Sequence, residues 1–252
     1  MILPFRPPAN HLLIVMPSET VPTTATPPLS RRERERLMRR QAMLDAARAV
    51  FAEKGYMQAT VDEIAQRAEF GKGTLYNYFS GGKEDILLAI FDELYDDLLD
   101  LIRHTFTPEQ LDQQPIRRLF ERFITDCFRF FHENEDLFKI LMKEAHRMIF
   151  SDDPDKVAYF QRQQERVIAA LVPPLERAMQ RGELRRLPPP AVADMIMGNI
   201  KGCQMHRMLK PESPETCAPD SSPEGMADFV TTMLFDGLLT EHARSSESSQ
   251  TT

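Results

Sequence analysis

The chain has no tryptophan, only ten glycines and only three cysteines in 252 residues. Cys127, Cys203 and Cys217 are too few and too scattered for a disulfide framework or a zinc module, so they read as reduced thiols, mostly in the core. No apolar run is long enough to span a bilayer, and the stretch from His11 to Met16 is too short and too flanked by proline for a secretory signal. A cytoplasmic protein with no membrane partner is expected. No stretch alternates apolar and polar residues for long enough to make a strand, and no internal repeat is present. Signals for catalysis are equally scarce. His132-Glu133 lacks the second histidine of a zinc protease, Ser151 to Asp155 reads as a capped turn, and no glycine-rich phosphate loop follows a strand. Neither an enzyme nor a metal or cofactor is expected.

What is present is 42% apolar residues, enough for a sizeable core, and a net charge of −7. A uniform acidic surface would repel nucleic acid, but phosphates sense the local field, and here the charges are segregated. Arg31, Arg32, Arg34, Arg36, Arg39 and Arg40 crowd the start of the first helical pattern, whereas Asp92, Glu93, Asp96, Asp97 and Asp100 crowd the fourth. Basic residues in a first turn run against the helix dipole. Two readings are open: phosphate contact, or a solvated surface balanced by Glu33 and Glu35.

The stretch from Thr60 to Lys83, TVDEIAQRAEFGKGTLYNYFSGGK, organises the rest. Thr60 followed by Glu63 is a capping box, so a helix starts near Val61. Ile64, Ala65 and Ala68 give it a small apolar face. Glu69-Phe70-Gly71 is the turn. In the second helix, from Lys72, Leu75 and Phe79 stack on one face and leave Lys72, Thr74, Tyr76 and Asn77 on others. One face packs and the other is free to read a duplex, as a helix-turn-helix requires. A helical hairpin in a bundle has the same spacing.

Thr60, Val61, Ile64, Ala65, Ala68, Phe70, Gly73, Leu75, Tyr76, Tyr78 and Phe79, then Lys83-Glu84, resemble the DNA-binding segment of TetR-family transcriptional regulators. The resemblance implies that Lys72 and Thr74 reach bases or nearby phosphates, that Gly73 admits the backbone closely, and that Tyr76, Asn77 and Tyr78 contact phosphate or base edges. Thr60 and Lys83 would hold backbone phosphates. Two departures stand out. Gly71 replaces the usual capping Ser or Thr, and Ser80-Gly81-Gly82 makes the link one residue longer, which offers the Gly82 backbone as an alternative to Lys83.

The remaining chain reads as all-α. Residues 1–30, rich in proline, are expected to be a disordered tail, and Met16 would open an equally sensible chain. A helix-turn-helix domain is expected over 31–84, a helical effector-binding and dimerisation domain over 85–242, and a polar disordered tail over 243–252. Helix one carries Leu37, Leu44, Ala47 and Phe51 on one face, with Ser30 as N-cap and Gly55 as its end. Ile86, Ile90, Leu94, Leu98 and Leu101 make the stripe of helix four, followed by a linker over 107–115. Helices are expected over 116–132 and 134–149, from Pro154 to near Gly182 with a kink or break at Pro173-Pro174, from Pro190 to before Pro211, and from Pro223 through Leu238.

The Phe- and Met-rich C-terminal helices suit either a plain core or a ligand cavity. The resemblance favours a cavity, for which Phe123, Cys127, Met142, His146, Gln164, Asn199 and also Cys203 are candidates. It also implies a homodimer joined through the last two helices, with Met195, Gly198, Gly202, Phe229 and Met233 as candidate interface residues. Gly198 and Gly202 would allow close helix approach or equally leave room for a ligand. The expected protein is therefore a homodimeric repressor of a palindromic operator in double-stranded DNA, released by a small-molecule effector. Its rivals are a ligand-independent regulator whose C-terminal half only dimerises or binds proteins, and a helical binding protein without DNA contact.

Overall fold

The computed structural model describes residues 30–209 and 222–237, and all regular structure there is helical. The order is α1 (Arg31–Gln58), α2 (Val61–Arg67), α3 (Lys72–Tyr78), α4 (Lys83–Thr105), α5 (Pro108–Gln113), α6 (Ile116–Glu133), α7 (Glu135–Ile149), α8 (Pro154–Gln180), α9 (Pro189–Leu209) and α10 (Pro223–Thr231). A π turn over Thr232–Asp236 extends α10. The chain divides into two compact units between Glu93 and Leu94, inside α4. Both expected tails, Cys217, Pro211 and Leu238 lie outside the described residues.

In the first unit, Ser30 caps α1 through a reciprocal box with Glu33. Burial of Met43, Leu44, Ala47, Val50 and Phe51 against water, together with Ile64, Leu75, Phe79, Ile86 and Ile90, makes the core. Leu37 departs from the expected apolar face. It is 53% exposed, because α1 begins well before the packed part of the unit. The regular helix ends at Gly55, whose φ of +75° suits a residue without Cβ, although helical turns resume as far as Gln58. Arg48 pairs with both Asp45 and Glu93, so α1 and the first turns of α4 are joined by charge as well as by packing.

The second unit is built on α6, which packs along α10, and on α8, which packs along α9. Phe106, Phe120, Phe123 and Phe235 cluster with ring centroids 4.8 to 6.4 Å apart, a tilted and edge-on set that fills the interior. Three expectations are corrected here. The linker over 107–115 contains α5, because Thr107 accepts from the Gln110 N–H and Pro108 sits at a position where its missing donor is not needed. Pro173 and Pro174 do not end α8. They deprive only the carbonyls of Ala169 and Ala170 of a donor, Ala169 is exposed to water, and Pro174 joins Leu171, Leu175 and Ala178 in the buried face. The helix ends at Gly182 (φ +76°), as expected, where the Gly182 and Glu183 N–H groups close on Met179 and Ala178. In α4, Leu94 and Leu98 are only half-buried, and Leu99 and Ile102 carry the apolar face instead.

Candidate nucleic-acid interface

The reading surface starts from the caps of α2. The Thr60 hydroxyl accepts from the Glu63 N–H at 3.2 Å and the Glu63 carboxylate accepts from the Thr60 N–H at 3.0 Å. The Lys54 ammonium beside Glu63, then the Thr60 N–H and hydroxyl, hold that carboxyl down to about 2. At the other end, the Glu69 N–H bonds Gln66 at 3.1 Å and the Phe70 N–H bonds Ala65 at 2.9 Å. This pair of bonds is the Schellman closure, and it places Glu69 at φ +59°. The left-handed residue of the turn is thus a glutamate and not Gly71, which is extended.

Gly71 is the N-cap of α3, and with no side chain it caps only through its carbonyl, which accepts from the N–H groups of Thr74 and Leu75. Leu75 and Phe79 are buried, so the helix is fixed by one face. Lys72, Gly73, Tyr76 and Asn77 are exposed, and Thr74 and Tyr78 are half-buried on the flank. The Lys72 ammonium rests 2.9 Å from the Asp62 carboxylate, which raises its affinity for the proton. Asp62 thus occupies a cation that a phosphate would otherwise take. Neither Asp62 nor Glu69 stands out in the sequence, because an acid at the start or end of a helix is ordinary there.

The longer link after α3 is absorbed locally. The Asp85 carboxylate accepts from the Gly81 N–H at 2.6 Å, and Gly82 adopts φ +67° with its N–H on the Phe79 carbonyl. Gly82 is buried, and a Cβ there would meet the Tyr76 ring at 3.4 Å, so its N–H is not offered to a phosphate. Lys83 is likewise corrected as a phosphate-holding side chain. Its ammonium donates to the carbonyls of Tyr56, Met57 and Ala59 at 2.8, 3.3 and 2.9 Å and lies 4.5 Å from the Tyr56 ring centroid. All three of its hydrogens are used in pinning the start of α4 to the end of α1.

Residues 43–90, which contain this whole surface from the buried part of α1 to α4, match the model of the family described as bacterial regulatory proteins, tetR family. This segment is a tetR-type DNA-binding segment. Among TetR-type relatives, the HTH-type transcriptional activator FasR of Mycolicibacterium smegmatis is 32% identical over 115 residues, which are 46% of this chain and 47% of FasR. The fatty acid metabolism regulator protein of Bacillus subtilis is 49% identical over 51 residues, 20% of this chain and 26% of that protein. The chain thus spans about half the length of these curated relatives or less. The TetR-type architecture extends further. The B. subtilis regulator FadR, solved in complex with stearoyl-CoA, aligns with a TM-score of 0.64 at 21% identity over 79% of this chain and 99% of its own. SmeT of Stenotrophomonas maltophilia, in its triclosan complex, aligns at 0.62 and 22% identity over 82% and 94%.

In the C-terminal unit, the expected effector residues separate. Phe123 and Cys127 are buried on α6, and burial pushes the Cys127 thiol well up. Met142, Asn199 and Cys203 are half-buried. His146 and Gln164 do not line the interior. Both are exposed, His146 bonded to the Met142 carbonyl of its own helix and Gln164 to Asp194. The polar groups that are inside were missed by sequence reading: among the described residues, Gln204, 1% exposed, has neither amide atom bonded, and the Thr231 hydroxyl and Arg207 Nε also lack partners. A glutamine or threonine in an amphipathic helix gives no sequence signal until the buried face is known. Met195, Gly198, Gly202, Phe229 and Met233 are all exposed on α9 and α10. Among the described residues, no atom outside the helix's own nearby backbone lies within 4 Å of a Cβ built on either glycine, so no other element approaches them closely.

Proposed function

We propose that the protein is a homodimeric transcriptional regulator that binds a palindromic operator through α3 and is released from it by a small-molecule effector. The observation that carries the DNA reading is the pairing, on a seven-residue helix, of a buried Leu75 face with an exposed Lys72, Gly73, Tyr76 and Asn77 face. A helix of that length and diameter enters a major groove and reads only a few base pairs. Lys72, Thr74, Tyr76 and Asn77 supply base-edge or phosphate contacts, Gly73 lets the backbone approach, and Tyr78 and Thr60 border the phosphates on either side. Lys83 acts by positioning, holding α4 against the end of α1.

Effector control is supported by the Gln204 amide, the Thr231 hydroxyl and the Arg207 Nε, which are buried without a hydrogen-bond partner among the described residues. A largely apolar molecule that carries both hydrogen-bond donors and acceptors would satisfy such groups. The stearoyl-CoA and triclosan held by the two structural relatives are molecules with large apolar bodies, in keeping with such a ligand. Binding would act only through different affinity for operator-competent and operator-incompetent conformations.

Selection of bound duplexes from a random pool by the full chain tests the reading. Two inverted half-sites are expected, with binding that weakens steeply as salt rises. Tyr76→Ala and Lys72→Ala should each weaken binding to the selected site by roughly ten-fold or more. Unchanged binding in both variants would sink the assignment of α3, and absence of salt-sensitive binding would favour a helical protein that does not touch DNA.

A further inference from the structure

The first turns of α1 carry a charge pattern that the core does not explain. Residues 31–39 are all exposed, and six arginines stand against two glutamates between Arg31 and Arg40. Arg32, Arg36 and Arg40 follow one another at four-residue spacing, and Arg36 and Arg39 are three apart. The same progression continues into Met43 and Ala47, which are fully buried. The arginine face is therefore the outward continuation of the face by which α1 packs into its unit.

Its position is fixed by two ring contacts. The Arg36 guanidinium lies 5.9 Å from the centroid of Tyr78, and that of Arg40 lies 5.5 Å from Phe79, both at the C-terminal end of α3. A cation–π contact of this kind takes up none of a guanidinium's N–H groups in a bond to an acceptor oxygen, so the fork is available for two-pronged bonds to an anion. Arg40 also lies 3.5 Å from Glu93, but Arg32, Arg36 and Arg39 have no carboxylate partner among the described residues. Like charges at three- and four-residue spacing destabilise a bare helix, and their placement at an N-terminus runs against the dipole. The Ser30–Glu33 box nevertheless holds this segment helical, and the Ser30 hydroxyl and N–H keep the Glu33 carboxyl below its ordinary range.

We infer that Arg32, Arg36 and Arg39 form a phosphate clamp that grips the DNA backbone flanking the base pairs read by α3. The inference rests on the DNA reading above and extends it. The clamp adds sequence-independent affinity and lengthens the footprint, whereas α3 sets the sequence.

The test compares the full chain with Arg32→Gln/Arg36→Gln and with the control Arg185→Gln/Arg186→Gln, which removes equal charge from exposed positions in the C-terminal unit. Each is titrated by fluorescence anisotropy against the pool-selected duplex, at several salt concentrations and with the flanking base pairs present or trimmed. The clamp variant should keep the wild-type helicity and site preference, and lose about 2 per bound protomer from the slope of log affinity against log salt. It should also lose less affinity on trimming than the wild type does. The control should match the wild type in all of these. A clamp variant with the wild-type slope and trimming response would overturn the inference while leaving the DNA reading intact, as would a basic face that binds only anionic phospholipid vesicles. A wild type without salt-sensitive binding would overturn the DNA reading itself. Should the double variant lose helicity, Arg39→Gln alone is read in the same way, with a loss of about 1 expected and no loss overturning the inference.

Discussion

Glu69 stands where a helix closure calls for glycine. Its φ of +59° is sterically costly for a residue with a Cβ, by about 1 kcal/mol, yet the Schellman bonds around it are complete. Glu69→Gly is therefore expected to raise unfolding stability by about 0.5 to 1 kcal/mol, read from the denaturant midpoint, with the α2–α3 angle and site preference retained. A fall in stability would mean that the exposed Glu69 side chain contributes more than its backbone costs. The same turn shows where residue-level reading of the sequence stops. Thr60, Leu75 and Phe79 were legible because a capping box and a four-residue apolar pair depend on neighbours in the chain. The role of Lys83 was not, since its carbonyl partners at Tyr56, Met57 and Ala59 become neighbours only when α4 folds back to the end of α1. Nor was the pairing of Lys72 with Asp62, ten residues away across the turn.

At the scale of the helix, ends decide more than middles. The helix starts capped or opened at Ser30, Thr60, Pro154 and Pro223 were legible in the sequence. Interiors misled where tertiary packing overrode propensity, as at Pro173 and Pro174, and α5 escaped notice because six residues give no apolar period. The α2 cap has a measurable acid dependence. Its Glu63 carboxyl is held at about 2 in the folded chain against an ordinary value of 4.5, so its contribution is complete above 4.5 and is lost as pH falls towards 2. Glu63→Gln preserves the reciprocal cap without the charge. The stability difference between the wild type and this variant, followed by urea denaturation, should be constant from pH 7 to about 5 and shrink between about 4.5 and 2. A difference that does not change across that window would assign the stabilisation to the neutral hydrogen bonds alone.

For the molecule as a whole, the decisive surface is the one that a single chain leaves uncovered. Met195 is 62% exposed, Phe229 38% and Met233 36%, and Met195, Gly198 and Gly202 recur on α9 at three- and four-residue spacing. Large apolar side chains beside two glycines with open space above them suit a second helix pair at close range. Sequence pattern alone could not separate this use of the glycines from room for a ligand, because both require only a missing side chain. Packing inside the protomer leaves the glycines outward, whereas Gln204 and Thr231 turn inward. A symmetric partner on this face would present two α3 helices to two half-sites, which raises affinity by effective concentration alone. Met195→Lys/Phe229→Lys should place like charges against each other across such an interface. The variant is expected to sediment as a folded monomer of unchanged helicity and to lose roughly 100-fold or more in affinity for the full operator. Its affinity for an isolated half-site should stay close to that of the wild type. If the variant remains a dimer, the partner face lies elsewhere, and if the monomer keeps full operator affinity, two recognition helices are not acting together on one site.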